Sequence, residues 1–317
     1  MKLSIILPTY NNEKTLDECL NAIFSQDFPR KDFEVLLIDG GSTDRTLKIA
    51  KEYPVRLMRN PKRFEEPARI SGLKVAKGEI IALIDADNII IGNDWFKKLL
   101  KPFDDPEIFC SDTLYFDYRK KDQMKVRYQA LIGGDDPIAT YLGFYSRWCY
   151  FKDNWTDFPY ESEKKDGYEK IKIIDPKKVP SIGSNGFLIR GKILKKYIKD
   201  RWIHPDFICE MVRDGFVYIG KVNAGIVHNQ PRFFPNKIRR IRRRLTKEIR
   251  IDYDYALTPW KIIWNTLWII TLLPLTYDVI KGFIKKPDSA WIFHYPASIG
   301  LTLIYAYYMT IGRLFYR

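Results

Sequence analysis

The first ninety residues alternate short apolar runs with amphipathic ones, and few folds accommodate that alternation. Residues 3–7, 33–38, 55–58 and 80–84 read as strands, being short, rich in Ile, Leu and Val, and bounded by turn residues. Between them Leu16, Leu20, Ile23 and Phe24 recur at helical spacing. Leu47 and Ile49 continue a helix that Ser42 or Asp44 can cap, and Ile70, Leu73 and Val75 mark a third helix that stops at Gly78. Alternating β and α elements argue for an α/β fold, a mostly parallel sheet with helices on both faces. In such sheets ligands bind in the crevice beyond the carboxyl ends of the strands. Two runs end there on carboxylates, one at Asp39 and the other at Asp85, with Asp87 two residues on and facing the same side. Carboxylates so placed can hold a hard cation, since Mg²⁺ takes one or two carboxylates together with substrate phosphate oxygens. The spacing predicts a metal–diphosphate site.

The chain has 317 residues, enough for one large domain and an appendage, and a formal net charge of +14. That charge is uneven: between Arg232 and Arg250 nine Lys or Arg stand against one acid, Glu248. Phe234, Ile238, Ile241, Leu245 and Ile249 draw an apolar stripe along the same stretch, the pattern of an interfacial amphipathic helix. Two nearly uncharged segments follow, about 260–280 and 289–311, each approaching the roughly 20 residues needed to cross a bilayer. The expected organisation is a catalytic domain over 1–230, a basic juxtamembrane segment over 231–258, and a C-terminal hydrophobic hairpin over 259–317. Membrane lipids are the expected partner of the basic patch, and nucleic acid is not. The N-terminus opens directly into a strand without a basic leader, so the catalytic part is expected on the cytoplasmic side of a multi-pass cell-membrane protein. Four cysteines without CxxC spacing read as reduced core thiols. Aromatics crowd residues 141–160, as a second layer of core or as a groove for a sugar or lipid chain.

Three blocks carry a family resemblance: Ser4-Ile5-Ile6-Leu7-Pro8-Thr9-Tyr10-Asn11-Asn12, Leu37-Ile38-Asp39-Gly40-Gly41-Ser42-Thr43-Asp44-Arg45-Thr46, and Ala76-Lys77-Gly78-Glu79 running into Asp85-Ala86-Asp87. In order and spacing they resemble glycosyltransferase family 2, inverting enzymes with the GT-A (Rossmann-like) fold, over about the first 90 residues. The resemblance implies that Pro8, Thr9 and Tyr10 lie against the nucleotide base. It further implies that Asp39 accepts from base or ribose, that Asp85 sits near ribose or diphosphate, and that Asp87, with Asp85, meets a divalent cation, Mg²⁺ or Mn²⁺. Arg69 matches a basic position facing the diphosphate. A departing nucleoside diphosphate needs its charge neutralised, which a cation and an arginine supply. On the residues alone, capping of its own turn is the lesser alternative for Asp39, and Asp44 reads as a helix cap.

Inversion needs a base unless the acceptor is a phosphate. In the family an acidic pair before a helix ending at Gly supplies it. Here Asp206 holds that place, nine residues before Gly215, but Pro205 replaces the first acid. Glu210, a turn further on, is the alternative. His228 matches a histidine that completes the metal or diphosphate site, and Ser184, Asn185 and Gly186 resemble the acceptor-side loop. The implied function is an inverting glycosyltransferase. It would move a sugar from a UDP- or GDP-linked donor to a membrane-held acceptor, a polyprenyl or dolichyl phosphate or a lipid-linked saccharide. A silent nucleotide-sugar-binding membrane scaffold is the rival. A nucleotidyltransferase would carry a Gly-rich basic loop after its first strand, which Pro8-Thr9-Tyr10-Asn11 is not.

Overall fold

The computed structural model describes residues 1–198, 204–230, 234–235, 238, 241 and 259–309. They form two compact units, one of residues 1–115 and 159–229, the other of 116–158 and 230–317.

In the first unit the strands are β1 (Leu3–Thr9), β2 (Phe33–Asp39), β3 (Arg56–Arg59), β4 (Ile80–Leu83), β5 (Asn88–Ile90), β6 (Ile108–Asp117), β7 (Tyr160–Lys165), β8 (Tyr168–Ile173), β9 (Phe187–Arg190) and β10 (Tyr218–His228). Among the described residues they make one sheet in the order β3-β2-β1-β4-β9-β6-β10-β8-β7, with β5 paired to β10. The half predicted from the alternation, β3-β2-β1-β4, is parallel throughout. Beyond it β9 pairs antiparallel with β4 and β6, and β10 antiparallel with β5 and β8. All seven residues of β1 are buried, as expected of a central strand covered on both faces. The strand passes through Pro8, which the sequence pattern made its end. Its pairing with β4 stops at Ile6, so the missing N–H of Pro8 faces no β4 neighbour. β10 runs unbroken over eleven residues and ends on His228.

The helix Glu65–Val75 ends on Ala76, not on Gly78. Gly78 is needed for a different reason. Its N–H donates to Ser4 Oγ at 2.7 Å, and a Cβ there would lie 2.3 Å from the Ser4 backbone nitrogen and 2.6 Å from the Leu3 carbonyl carbon. The glycine lets the chain cross β1 before β4 begins.

In the second unit Tyr128, Tyr145, Cys149, Phe151, Trp291 and Leu301 belong to one core, so these aromatics serve as packing. A buried polar chain runs through it: Tyr128 Oη bonds His294 Nδ1 at 2.8 Å, His294 Nε2 meets Tyr141 Oη at 3.0 Å, and Tyr141 donates to Asp278. The two expected spans take another form. The first breaks between the helices Pro259–Ile270 and Leu273–Lys285, with Leu272 in the left-handed region at φ 62° and Pro274 opening the second helix. At about 1.5 Å per residue, 12 and 13 residues fall short of the ~30 Å hydrocarbon core. The helix His294–Met309 has 16 described residues, also short. No single described helix is long and apolar enough to cross a membrane; Trp264–Ile270 and Leu273–Lys285 qualify only as a pair bent by 76°. Trp260, Trp264 and Trp268 nevertheless stand exposed at 70%, 66% and 54%, one stripe at four-residue spacing. The basic segment 231–258 lies outside the described residues except at 234, 235, 238 and 241. All four cysteines are buried and unbridged.

Gly78→Ala is expected to destabilise the first unit by about 1–3 kcal/mol, because backbone must move to admit the methyl group. Thermal unfolding would show a Tm lower by several degrees; an unchanged Tm would contradict the crossing described.

Candidate active site

The parallel register sets Thr9 beside Asp39 at the carboxyl ends of β1 and β2. Their loops are tied together: Asn11 N donates to Ser42 Oγ at 2.9 Å, and Thr43 N to Asn11 Oδ1 at 2.8 Å. Asn12, given no role in the sequence reading, locks the first loop, its Oδ1 accepting from Thr9 Oγ1 at 3.1 Å and from Tyr10 N at 2.9 Å. The ring of Tyr10 is left exposed above this frame. Asp39 is buried and caps its own turn, accepting from Gly41 N at 2.8 Å and Ser42 N at 3.0 Å, and from the Ser42 hydroxyl. Asp44, by contrast, accepts from Thr46 N at 3.0 Å and Glu13 N at 3.2 Å, consistent with a structural part at the start of the helix Thr46–Ala50.

Arg69 projects from the helix Glu65–Val75 and is only 2% exposed, where solvent cannot balance its charge. Its Nη2 donates to Asp85 Oδ1 at 2.7 Å. Burial opposes the guanidinium's charge, yet Asp85, Glu65 and Glu66 outweigh it and raise the Arg69 pKa. Burial lifts the Asp85 carboxyl above its ordinary range, against the pull of Arg69 and with Glu65 and Asp87 adding to the rise. Arg69 therefore meets the crevice through Asp85 and not as an exposed cation. Beneath this corner the Cys19 Sγ lies 3.6 Å from the Asp85 carbonyl oxygen, and burial, with Asp87 and Asp85 nearby, pushes its pKa well up.

The next carboxylate faces elsewhere. Asp87 Oδ2 lies 3.7 Å from His228 Nε2, at the end of β10, and Asn229 N donates to the Asp87 carbonyl at 2.8 Å. The antiparallel register of β5 on β10 sets His228 opposite Asn88 and so delivers it to this corner. Among the described residues no three His, Cys, Asp or Glu side chains converge as a metal cluster. A carboxylate oxygen beside an imidazole nitrogen nonetheless fits a cation whose remaining positions are filled by diphosphate oxygens, Mn²⁺ better than Mg²⁺.

Asn88, which the sequence reading also passed over, follows Asp87 and is 1% exposed. A polar residue directly after a strand-end Asp-x-Asp is the signal that could have found it, since Asn and Asp side chains fold back onto nearby backbone. Asn185 and Gly186 both adopt positive φ, 53° and 84°. A Cβ on Gly186 would lie 2.8 Å from Ile226 Cδ1 and 3.0 Å from Trp95 Cζ2, so the backbone packs where a side chain cannot. Asn185 Nδ2 donates to Ser184 Oγ at 3.2 Å, and Gly186 N to the Leu83 carbonyl at 2.8 Å, which fixes this loop beside the end of β4. Asp206 is half-buried in the first turn of the helix His204–Arg213, and Glu210 is exposed one turn later. Both stand on an element separate from the Asp85–Asp87 turn.

Residues 4–198 match the family described as glycosyl transferase family 2. The poly(ribitol-phosphate) beta-N-acetylglucosaminyltransferase TarS of Staphylococcus aureus is 40% identical over 97 residues, 28% of this chain and 17% of TarS. A Methanococcus voltae dolichyl N-acetyl-alpha-D-glucosaminyl phosphate 3-beta-D-2,3-diacetamido-2,3-dideoxy-beta-D-glucuronosyltransferase is 37% identical over 91 residues, 26% of this chain and 28% of that protein. The matched stretch thus spans less than a third of either relative. Among solved structures, the mannosyltransferase PcManGT of Pyrobaculum calidifontis, in complex with GDP-Man and Mn²⁺, aligns over 97% of this chain and 86% of its own with a TM-score of 0.54 at 16% identity, a likeness of fold.

Replacing Arg69 by Met would leave the Asp85 carboxylate without its cation and is expected to cost on the order of 3 kcal/mol. Adding Asp85→Asn to that variant should recover part of the loss in denaturant unfolding. A double variant no more stable than Arg69→Met would show that the pair does not carry the effect.

Proposed function

The chain belongs to glycosyl transferase family 2, and we propose that it moves a sugar, with inversion, from a UDP- or GDP-linked donor to a membrane-held acceptor. The observation that carries this reading is the corner where Asp87 and His228 approach to 3.7 Å beside the buried Arg69–Asp85 pair, all beyond the sheet's strand ends. The donor's base and ribose would lie along Pro8, Thr9, Tyr10 and Asp39, where Tyr10 offers an exposed ring. Asp87 and His228 would hold Mn²⁺ or Mg²⁺, which on binding supplies Lewis-acid neutralisation of the departing diphosphate. Asp85 keeps Arg69 in place through one carboxylate oxygen and would stand beside the cation, with Asp87, next to His228, as the carboxylate that meets it. Ser184, Asn185 and Gly186 would receive the acceptor. An acceptor hydroxyl needs a base, for which the half-buried Asp206 suits better than the exposed Glu210. An acceptor phosphate needs none.

A polyprenyl or dolichyl phosphate, or a saccharide carried on one, is the proposed acceptor, met on the cytoplasmic face of the cell membrane. Two features support it. The Methanococcus relative acts, by name, on a dolichyl N-acetyl-glucosaminyl phosphate, a sugar carried on a dolichyl phosphate, and the Trp260–Trp264–Trp268 stripe presents amphipathic rings of the kind found at headgroup level.

The test is donor hydrolysis by the purified protein in detergent, with UDP- and GDP-sugars and Mn²⁺ or Mg²⁺, beside Asp87→Ala. Metal-dependent release of one nucleotide is expected, reduced by at least about 100-fold in the variant, the scale of several kcal/mol of lost charge stabilisation. Donor binding without turnover, even after lipid extract is added, would favour the silent scaffold. No binding of any donor by thermal shift would sink both readings.

A further inference from the structure

Asn88 has its whole carboxamide engaged at the centre of the site. Its Oδ1 accepts from Asp85 N at 3.0 Å, and its own backbone N–H returns to the Asp85 carbonyl at 2.8 Å. Because only oxygen can accept that N–H, the amide orientation is determined. Nδ2 must then face the other way, and there it finds two acceptors, Asn185 Oδ1 at 3.1 Å and Asp87 Oδ1 at 3.4 Å. One buried amide thus touches the turn that begins at Asp85, the carboxylate assigned to the cation and the loop assigned to the acceptor. Across the β5–β10 register the same residue stands opposite His228. The Asp87 and Asn185 side chains reach Asn88 from segments almost a hundred residues apart in sequence.

We propose that Asn88 is a positioning residue that sets the metal-side carboxylate Asp87 and the acceptor-side loop at Asn185 as a single unit, so that a change at one half is felt at the other. The proposal rests on the glycosyltransferase reading and adds to it a coupling between the half-sites. The two Nδ2 hydrogens are the physical link. Each holds an oxygen acceptor, and Asn185, in a left-handed conformation, has its side-chain oxygen held by this bond. Groups that orient metal ligands in this way typically contribute 10–100-fold to metal affinity when removed.

The experiment is Mn²⁺ binding by electron paramagnetic resonance, free ion titrated against the full-length protein with saturating UDP or GDP and no sugar, so that turnover is not the readout. Wild type, Asn88→Ala, Asn185→Ala and the double variant are compared, with circular dichroism to establish folding. Asn88→Ala is expected to weaken Mn²⁺ binding roughly 10–100-fold. Asn185→Ala should weaken it several-fold, although Asn185 is assigned no ligand role. The double variant should be no worse than Asn88→Ala alone, because both changes break the same link. Losses that multiply would mean the residues act independently, and unchanged binding in Asn88→Ala would overturn the proposal outright. Should Asn88→Ala fail to fold, Asn185→Ala decides: Mn²⁺ affinity equal to wild type overturns the coupling. A wild type that binds no Mn²⁺ with either nucleotide would instead bring down the metal-dependent reading, and this proposal with it.

Discussion

A guanidinium almost wholly removed from water is tolerable only with a carboxylate against it, and the Arg69–Asp85 pair meets that requirement at 2.7 Å. Much of the corner follows. The pair pins the helix Glu65–Val75 to the end of β4, with one Asp85 oxygen held by the guanidinium. With Asp85 committed, Asn88 can close the turn over its backbone, and Asp87 is turned towards His228. The carboxylates of Asp85-Ala86-Asp87 therefore differ in partner, the first tied to Arg69 and the last set beside His228.

The two units solve different burial problems. In the first, an all-buried central strand and a buried ion pair leave charged edges, with Arg56 and Arg59 on β3 at one side and a charged β7 at the other, a protection against edge-to-edge pairing. In the second, a polar chain from Tyr128 through His294 and Tyr141 to Asp278 is satisfied inside, while large apolar rings are left outside.

Local pattern made the parallel half of the sheet legible. Strands β1, β2 and β4 are dense apolar runs with turn residues at both ends, and the carboxylates at their ends needed no knowledge of tertiary structure. The antiparallel half was not legible, because the partners of β9 and β10 come from remote segments that no local pattern joins. Gly78 shows the same limit: it looked like a helix cap and is in fact a crossing point over Ser4. For Arg69 the sequence gives a basic residue facing the crevice but no sign of its pairing with Asp85. Asn88 stands next to the motif with one acceptor, Asp87, beside it in sequence, but its other acceptor, Asn185, is 97 residues away and no local pattern joins the two. In the hydrophobic hairpin, composition shows the apolar run but not the left-handed Leu272 that bends it.

The packing of Gly186 against Trp95 and Ile226 bears on how such a site can change over generations. Any side chain at this position meets an indole wall, and its backbone conformation is one that other residues adopt only under strain. Its neighbour Asn185 is held by the amide that also touches Asp87. Two of the three residues Ser184-Asn185-Gly186 are thus closed to drift, and on the proposed acceptor role of this loop Ser184 and the residues before it are the ground on which to vary. A methyl group added at Gly186 would press on Trp95 and Ile226, and through Asn185 and Asn88 the strain would reach Asp87 as well.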